Sequence, residues 1–119
     1  MPLLPAFNPK AIERLTPGTR ALCNRLIDSF IDKGSCDAAT DYAQHIPTRV
    51  IAKMLGMSEE DGDRYRRWIK MALEEGIHDN AKVMQSLKEM TAYFAEELDR
   101  RGSTPGDDLI SFMRDQRVD

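Results

Sequence analysis

Apolar residues recur at steps of three and four along most of the 119-residue chain, which is the spacing of amphipathic helices. The pattern is strongest between Asp37 and Asp61, where the apolar positions are Tyr42, Ala43, Ile46, Val50, Ile51, Met54 and Leu55. This broad stripe predicts an interior helix around which its neighbours pack. Pro47 removes one backbone donor, so we expect either a kink or a helix start near Ile46.

Two helices are predicted before this stretch. Asn8-Pro9 reads as a cap followed by a first-turn proline and opens a short helix to about Leu15. Thr16-Pro17 repeats that start signal and Gly34 ends the second helix. The second helix has one apolar stripe, made of Leu22, Cys23, Leu26, Ile27, Phe30 and Ile31.

Three helices are predicted after it. Gly56 is placed to cap the central helix in the left-handed conformation, and Ser58 with Asp61 forms a start signal for the next one. That helix carries Tyr65, Trp68, Ile69, Ala72 and Leu73 on one face. After a break at Gly76–Asn80, a helix of roughly 30 Å runs to about Arg101 with Val83, Leu87, Met90, Phe94 and Leu98 in register.

A last helix follows the turn at Gly102–Gly106. Asp107 or Asp108 caps it, and it holds Leu109, Ile110, Phe112 and Met113. No strand alternation persists and no internal repeat is visible. The sequence therefore predicts an all-α fold, with residues 1–119 as a single helical unit.

Composition excludes several function classes. The net charge is -3 and the pI is about 5.4, so no basic field is present to attract nucleic acid or an acidic membrane. No apolar run reaches the ~20 residues of a membrane span, and we expect no membrane partner. Two cysteines do not make a secreted disulfide framework. The expected compartment is therefore the cytoplasm.

The residues that could carry chemistry form no recognisable constellation. The possible soft metal ligands, Cys23, Cys36, His45 and His78, match no zinc spacing. Cys23 reads as a buried structural thiol on a helix face. The acids at Glu59–Asp61 suit a helix first turn, and the local basic run Arg64–Lys70 reads as a solvated face. From the residues we predict no catalytic, cofactor-binding or metal-binding side chain.

Three motifs nevertheless resemble bacterial cytochrome P-450, the haem-thiolate monooxygenase family, in order and spacing. Residues 41–61 resemble the segment that forms its helix E and the start of helix F. Pro5–Pro9 resembles the P-A-F-x-P at the end of helix C. Arg100–Ser111 resembles the R-R-x-x-P-G-D-D-L-I-S that joins helices G and H. The resemblance implies an irregular array of the helices C-end, D, E, F, G and H.

The resemblance also implies what the chain lacks. The family's thiolate ligand lies in an F-x-x-G-x-x-x-C-x-G loop, and nothing in this sequence is similar to that loop. We therefore expect an internal fragment that binds no haem and is not catalytic alone. Haem iron, a small organic substrate and a ferredoxin-type redox partner belong to the intact parent enzyme, so whether this chain counts as an enzyme is left open.

One functional role is carried over position by position. In the family the third and fourth long helices form a lid over the substrate channel. At the matching positions Ile69 and Leu73 would face substrate, with Ile77 in the lid loop. The same spacing also fits plain core residues, so both interpretations stay open.

Two further interpretations concern partners. In the resembled fold the helices at Pro17–Lys33 and Asp41–Leu55 pack against helices that this sequence does not contain. Uncovered apolar faces would then favour either homo-oligomers, with or without helix exchange, or rearrangement away from the parent packing. The alternative to a monooxygenase fragment is a standalone helical protein-interaction module. A self-contained enzyme is a third hypothesis, for which the sequence offers no constellation.

Overall fold

The fold is seen in a computed structural model that describes residues 4–104 and 106–115, except for the side chain of Glu59. Over these residues all regular structure is helical, which confirms the all-α prediction. The α-helices are α1 (Pro9–Glu13), α2 (Thr16–Phe30), α3 (His45–Met54), α4 (Glu59–Leu73), α5 (Asn80–Ser103) and α6 (Leu109–Asp115). Short 3₁₀ turns lie at Leu4–Phe7, Ile31–Lys33 and Glu75–Ile77, and a π-helical turn at Ala38–Ala43 precedes α3.

The helix ends follow local chemistry. Asn8 accepts a hydrogen bond from the Ala11 N–H at 2.9 Å, and Ser58 accepts one from the Asp61 N–H at 3.1 Å, so both predicted caps are confirmed. Gly34 and Gly56 end their helical segments with φ of 68° and 74°. The predicted cap at Thr16 is wrong, because Thr16 is already the first residue of α2 and Leu15 before it makes no side-chain cap.

The start of α3 resolves the question raised by Pro47. The helix begins at His45, so Pro47 is its third residue and lies in the first turn. Backbone N–H groups there have no partner within the helix, and a proline costs no helical hydrogen bond. The predicted start near Ile46 is therefore confirmed, and no kink is needed.

The core lies where α4 packs against both α3 and α5. Trp68 of α4 is fully buried in a cluster with Ala52, Met57 and Tyr93. Contacts between α3 and α4 and between α4 and α5 dominate the tertiary packing. The helix at the centre of the packing is thus α4, one element later than the sequence predicts.

The buried face of α3 differs from its predicted stripe. Its buried residues are Thr48 and Ala52, whereas Ile46, Val50 and Ile51 are only half-buried. The reason is close helix approach: a Cβ atom added to Gly62 of α4 would lie 3.4 Å from the Ala52 Cβ. Small residues let the two backbones meet there, so side-chain size decides the contact face rather than hydrophobicity.

The buried face of α5 is also displaced from its predicted register. Its buried residues are Ser86, Tyr93 and Arg101, while the expected core residues Leu87 and Leu98 are exposed. The buried Ser86 hydroxyl donates to the Trp68 backbone carbonyl at 2.8 Å, and the Tyr93 ring packs against the Trp68 indole with the two planes tilted by 60°. Polar groups with internal partners occupy this face, which a hydrophobic pattern does not predict.

Two further helices bury short faces: α2 packs against α3 and the π-helical turn, and α6 packs against α5. Leu22 and Leu26 of α2 are buried, but Ile27 and Ile31 of the predicted stripe are exposed. In α6 the buried residues are Leu109, Ile110 and Ser111. Asp108, rather than Asp107, caps α6, because its carboxylate accepts from the Ser111 N–H at 2.9 Å.

Candidate functional site

The candidate site is the hairpin formed by α4 and α5, which is cross-linked along its length by polar contacts. The Trp68 indole N–H donates to Glu89 at 2.8 Å, and the Tyr93 hydroxyl donates to Asp61 at 3.0 Å. Burial and the hydrogen bond to Asp61 raise the pKa of Tyr93 above its ordinary value. Hydrogen bonds from Gln85 and from Trp68 lower the pKa of Glu89. The two helices are therefore tied as one unit.

A cation covers the aromatic centre of the hairpin. The Arg64 guanidinium lies 5.6 Å from the Trp68 ring centroid and 5.4 Å from that of Tyr93. Contacts of this kind stabilise by about 0.5–1 kcal/mol at exposed sites. Arg64 therefore has a specific packing role that its interpretation as a solvated residue did not include.

The three residues predicted to face substrate occupy two different places. Ile69 is half-buried in the wall of a groove between α3 and α4. Leu73 and Ile77, 67% and 71% exposed, lie at the tip of the hairpin, at the end of α4 and in the 3₁₀ turn that follows. Leu73 and Ile77 do not line the groove, so it does not bring all three predicted residues together.

The groove itself is large and amphipathic. Its volume is about 930 Å³, and its wall combines apolar Pro47, Ile51 and Ile69 with basic Arg66 and Lys70. Volumes of this order are typical of sites for small organic molecules. The basic run of α4, interpreted from sequence as a solvated face, thus partly lines a concave surface.

The root of the hairpin is held by Arg101, which we named from sequence only as a helix end and as part of the Arg100–Ser111 motif, with no role of its own. Its side chain is 2% exposed, and its Nη2 donates to the carbonyl oxygens of Leu55 at 3.0 Å and Gly56 at 3.2 Å. Its Nε donates to Asp108 at 2.9 Å, and its Nη1 pairs with Glu97. One guanidinium therefore joins the end of α3, the end of α5 and the start of α6.

The carboxylates around Arg101 are held in their charged forms. Burial alone would raise the pKa of Asp108, but hydrogen bonds from the Ser111 N–H and from Arg101 outweigh burial and lower it. The pKa of Glu97 is lowered by its hydrogen bond with Arg100, and then by that with Arg101. The sequence signal that could have revealed this cluster is an arginine followed seven residues later by a helix-capping aspartate.

The two cysteines lie outside the groove, and they differ in exposure. Cys36 is exposed, and Cys23 is half-buried rather than buried as predicted. Hydrogen bonding with Cys23 raises the pKa of Tyr42, and neither cysteine lines the groove. Within residues 4–104 and 106–115, no three His, Cys, Asp or Glu side chains are grouped to hold a metal ion.

No family model matches the chain. Individual curated relatives, however, are cytochrome P450 proteins that match nearly the whole chain. A cytochrome P450 from Priestia megaterium, CYP107DY1, is 36% identical over 112 residues, which are 91% of this chain and 27% of that protein. The mycinamicin IV hydroxylase/epoxidase of Micromonospora griseorubida is 31% identical, over 94% of this chain and 29% of its own length.

Solved structures of cytochrome P450 proteins also resemble the chain. Myxobacterial cytochrome P450 CYP267B1, in complex with myristic acid, matches with a TM-score of 0.80 and 35% identity, over 94% of this chain and 28% of that one. The mixed-function P450 MycG, as its F286V mutant with mycinamicin V, matches with a TM-score of 0.85 and 29% identity, over 98% and 30%. These likenesses define a helical segment of a haem-protein fold.

The chain belongs, over its described length, to the cytochrome P450 fold and corresponds to one segment of it. It spans less than a third of the length of the relatives it matches. None of the helices described is both long enough and apolar enough to cross a bilayer.

Proposed function

We propose that the chain is the lid-bearing helical segment of a cytochrome P450 monooxygenase, a partial domain over residues 1–119. In the complete enzyme a haem iron activates oxygen, a ferredoxin-type protein supplies electrons, and the substrate is a small organic molecule. We place that enzyme in the bacterial cytoplasm. The supporting observation is the match to oxygenases across nine-tenths of the chain, with the helices on the same path.

Within this proposal the α4–α5 hairpin is the lid over the substrate channel. Its root is fixed by Arg101 and its helices are tied through Trp68. Its tip presents Leu73 and Ile77 as large exposed apolar side chains, and Ile69 lies one helical turn before Leu73 on α4. A rigid hairpin with an apolar tip suits contact with an apolar substrate.

The lid role is tested in the complete reading frame that contains this segment. Ile69→Ala, Leu73→Ala and Ile77→Ala are each expected to raise the KM or the spectral dissociation constant for substrate, while leaving the haem spectrum unchanged. Leu87→Ala is the matched control, because Leu87 is an exposed leucine on α5 outside the tip. Equal effects of Leu73→Ala and Leu87→Ala would contradict the assignment.

We also propose that the 119 residues do not oxidise substrates by themselves. The sequence offers no thiolate loop. Haem is added to the purified chain, reduced, and exposed to carbon monoxide. We expect no shifted thiolate Soret band; turnover of any compound by this material would overturn the proposal.

Self-association is the expected behaviour of the isolated segment. Ile27 on α2 and Ile31 in the 3₁₀ turn after it are exposed. Ile51 and Ile69 in the apolar wall of the groove are half-buried. Burying each such side chain is worth roughly 1.5–3 kcal/mol. Light scattering at micromolar concentration is expected to show dimers or larger species, and Ile31→Lys to shift them toward monomer. A monodisperse wild-type monomer would contradict this.

The alternative function is a standalone helical module that binds another protein through these same faces. The uncovered apolar wall of the groove is the observation that favours it. The coding DNA on both sides separates the two proposals. In-frame sequence for a cysteine ligand loop downstream supports the monooxygenase segment, and stop codons flanking the 119 residues support the module.

A further inference from the structure

Two residues of α5, one helical turn apart, hold a single residue of α4 at two separate points. The Ser86 hydroxyl donates to the backbone carbonyl of Trp68 at 2.8 Å, and Oε2 of Glu89 accepts from the Trp68 indole N–H, also at 2.8 Å. Trp68 is fully buried between the helices. Because its backbone and its ring are held independently, α4 cannot turn about its own axis without breaking one of these hydrogen bonds.

Glu89 also holds the residue before Trp68. Its Oε2 accepts from Nη2 of Arg67 at 3.1 Å, while its Oε1 accepts from the Gln85 side-chain amide at 2.9 Å. Side chains of consecutive helical residues leave the axis about 100° apart. Donors from two such directions converge on one carboxylate oxygen, so the position of that oxygen fixes the rotation of α4. Gln85, one turn earlier on α5, holds the carboxylate in place.

The rotation of α4 decides where its apolar side chains point. Ile69 directly follows Trp68, and Leu73 lies one turn after Ile69, so the same rotation carries both. Ile69 lines the groove between α3 and α4, and Leu73 is exposed at the hairpin tip. Glu89 is on the other helix and does not line the groove. Its influence on a ligand that touches Ile69 and Leu73 is therefore indirect.

We propose that Glu89 is a positioning residue for substrate binding, because it sets the rotation of α4 at which Ile69 and Leu73 meet the substrate. This inference rests on the proposed lid role of the α4–α5 hairpin. It applies to ligands with an apolar part long enough to reach the hairpin. A small ligand that binds only at the haem iron does not depend on Glu89.

The test is spectral titration of the complete enzyme that contains this segment, with dodecylimidazole and imidazole as probes. The imidazole nitrogen of each binds haem iron, and only dodecylimidazole has an apolar tail that extends toward the lid. Glu89→Ala is expected to weaken dodecylimidazole binding about tenfold, the size of one lost hydrogen bond to a charged group, and to leave imidazole binding within about twofold. Glu96→Ala, at an exposed acid two turns further along α5, is the matched control and should change neither affinity more than about twofold.

Two conservative variants separate the hydrogen bond from general packing. Trp68→Phe keeps an aromatic ring but removes the indole N–H, and it should weaken dodecylimidazole binding about tenfold. Combining it with Glu89→Ala should weaken binding no further, because both changes break the same interaction. Glu89→Gln keeps an acceptor for the indole N–H and should stay within about threefold of the wild type. If Glu89→Ala does not fold, Trp68→Phe decides the question.

Leu73→Ala provides the reference for the lid itself. If it weakens dodecylimidazole binding and neither Glu89→Ala nor Trp68→Phe does, the positioning role of Glu89 is wrong while the lid assignment stands. If none of the three variants weakens that binding, the lid assignment fails and this inference fails with it. Equal weakening of imidazole and dodecylimidazole in Glu89→Ala would show a general loss of structure and would also overturn the proposal.

Discussion

Arg101 donates from its Nε to Oδ1 of Asp108 at 2.9 Å, across the turn between α5 and α6, and both side chains are nearly excluded from solvent. The same guanidinium reaches back 46 and 45 residues to the Leu55 and Gly56 carbonyls. A charge this buried is tolerated only where its donors are satisfied and a carboxylate faces it. The pair therefore fixes where the α4–α5 hairpin leaves the rest of the fold.

Replacing Arg101 with methionine is expected to lower the free energy of unfolding by about 3–5 kcal/mol, because it leaves Asp108 without its buried counterion. Urea denaturation of the 119-residue chain, followed by far-UV circular dichroism, measures the loss. Arg100→Gln is the control: Arg100 pairs with Glu97 at the surface, with 58% of its side chain exposed, and should change stability by less than about 1 kcal/mol. Similar losses in both variants would contradict the structural role of Arg101.

The same cluster predicts how stability depends on pH. The pKa values of Asp108 and Glu97 are lowered in the folded chain, so the unfolded chain binds more protons as the solution becomes acidic. Their contribution is complete above the ordinary carboxyl pKa of about 4 and is lost as pH falls through the lower folded values. Denaturation midpoints measured from pH 7 to pH 3 should therefore fall. The fall should be shallower in Asp108→Asn, and an unchanged slope in that variant would argue against the assignment.

Two glycines with the same left-handed backbone provide a matched pair. Gly34→Ala, at φ 68° with open space around its Cβ position, is expected to cost about 1–2 kcal/mol from backbone strain alone. Gly56→Ala, at φ 74°, adds a Cβ only 2.7 Å from Arg101 Nη2 and 2.8 Å from the Asp108 Cβ. It should cost clearly more, since the arginine cluster must also shift. Chemical denaturation of the two variants side by side makes the comparison, and equal costs would show that the cluster gives way freely.

The chain's one tryptophan reports on the hairpin core. Trp68→Ala is expected to destabilise by about 3–5 kcal/mol, because a fully buried indole, its contact with Tyr93 and its hydrogen bond to Glu89 are lost. Leu73→Ala, at the exposed tip of the same helix, should change stability by less than about 0.5 kcal/mol. In the wild type, Trp68 fluorescence should be blue-shifted and shielded from acrylamide until the chain unfolds. Strong quenching of the native protein would place the indole in solvent.

Much of the fold is predictable from local signals, because caps and left-handed glycines depend on a few neighbouring residues. Asn8, Ser58 and Gly56 were placed correctly for that reason. The buried faces were harder to predict. Hydrophobic spacing selected Leu87 and Leu98 on α5, but the face that packs contains Ser86 and Arg101, whose partners lie far away in sequence.

Some residues of the candidate site could be named from the sequence, and others became apparent only in the structure. The resemblance identified Ile69, Leu73 and Ile77 by position, and their role as lid residues stays a prediction. Sequence alone did not reveal the Arg101 cluster, because an arginine in a charged run is ordinarily a surface residue.

The long reach of Arg101 also has a kinetic consequence. Arg101 meets the carbonyl groups of Leu55 and Gly56 only after α4 and α5, which separate them by 46 and 45 residues, have folded back on each other. Closing so long a loop costs conformational entropy, so we expect these contacts to form late in folding. The interactions of Arg101 should therefore be absent from the folding transition state and present only in the native basin. In a chevron plot, loss of this guanidinium should raise the unfolding rate and leave the refolding arm almost unchanged. Arg101 would therefore act mainly by slowing unfolding.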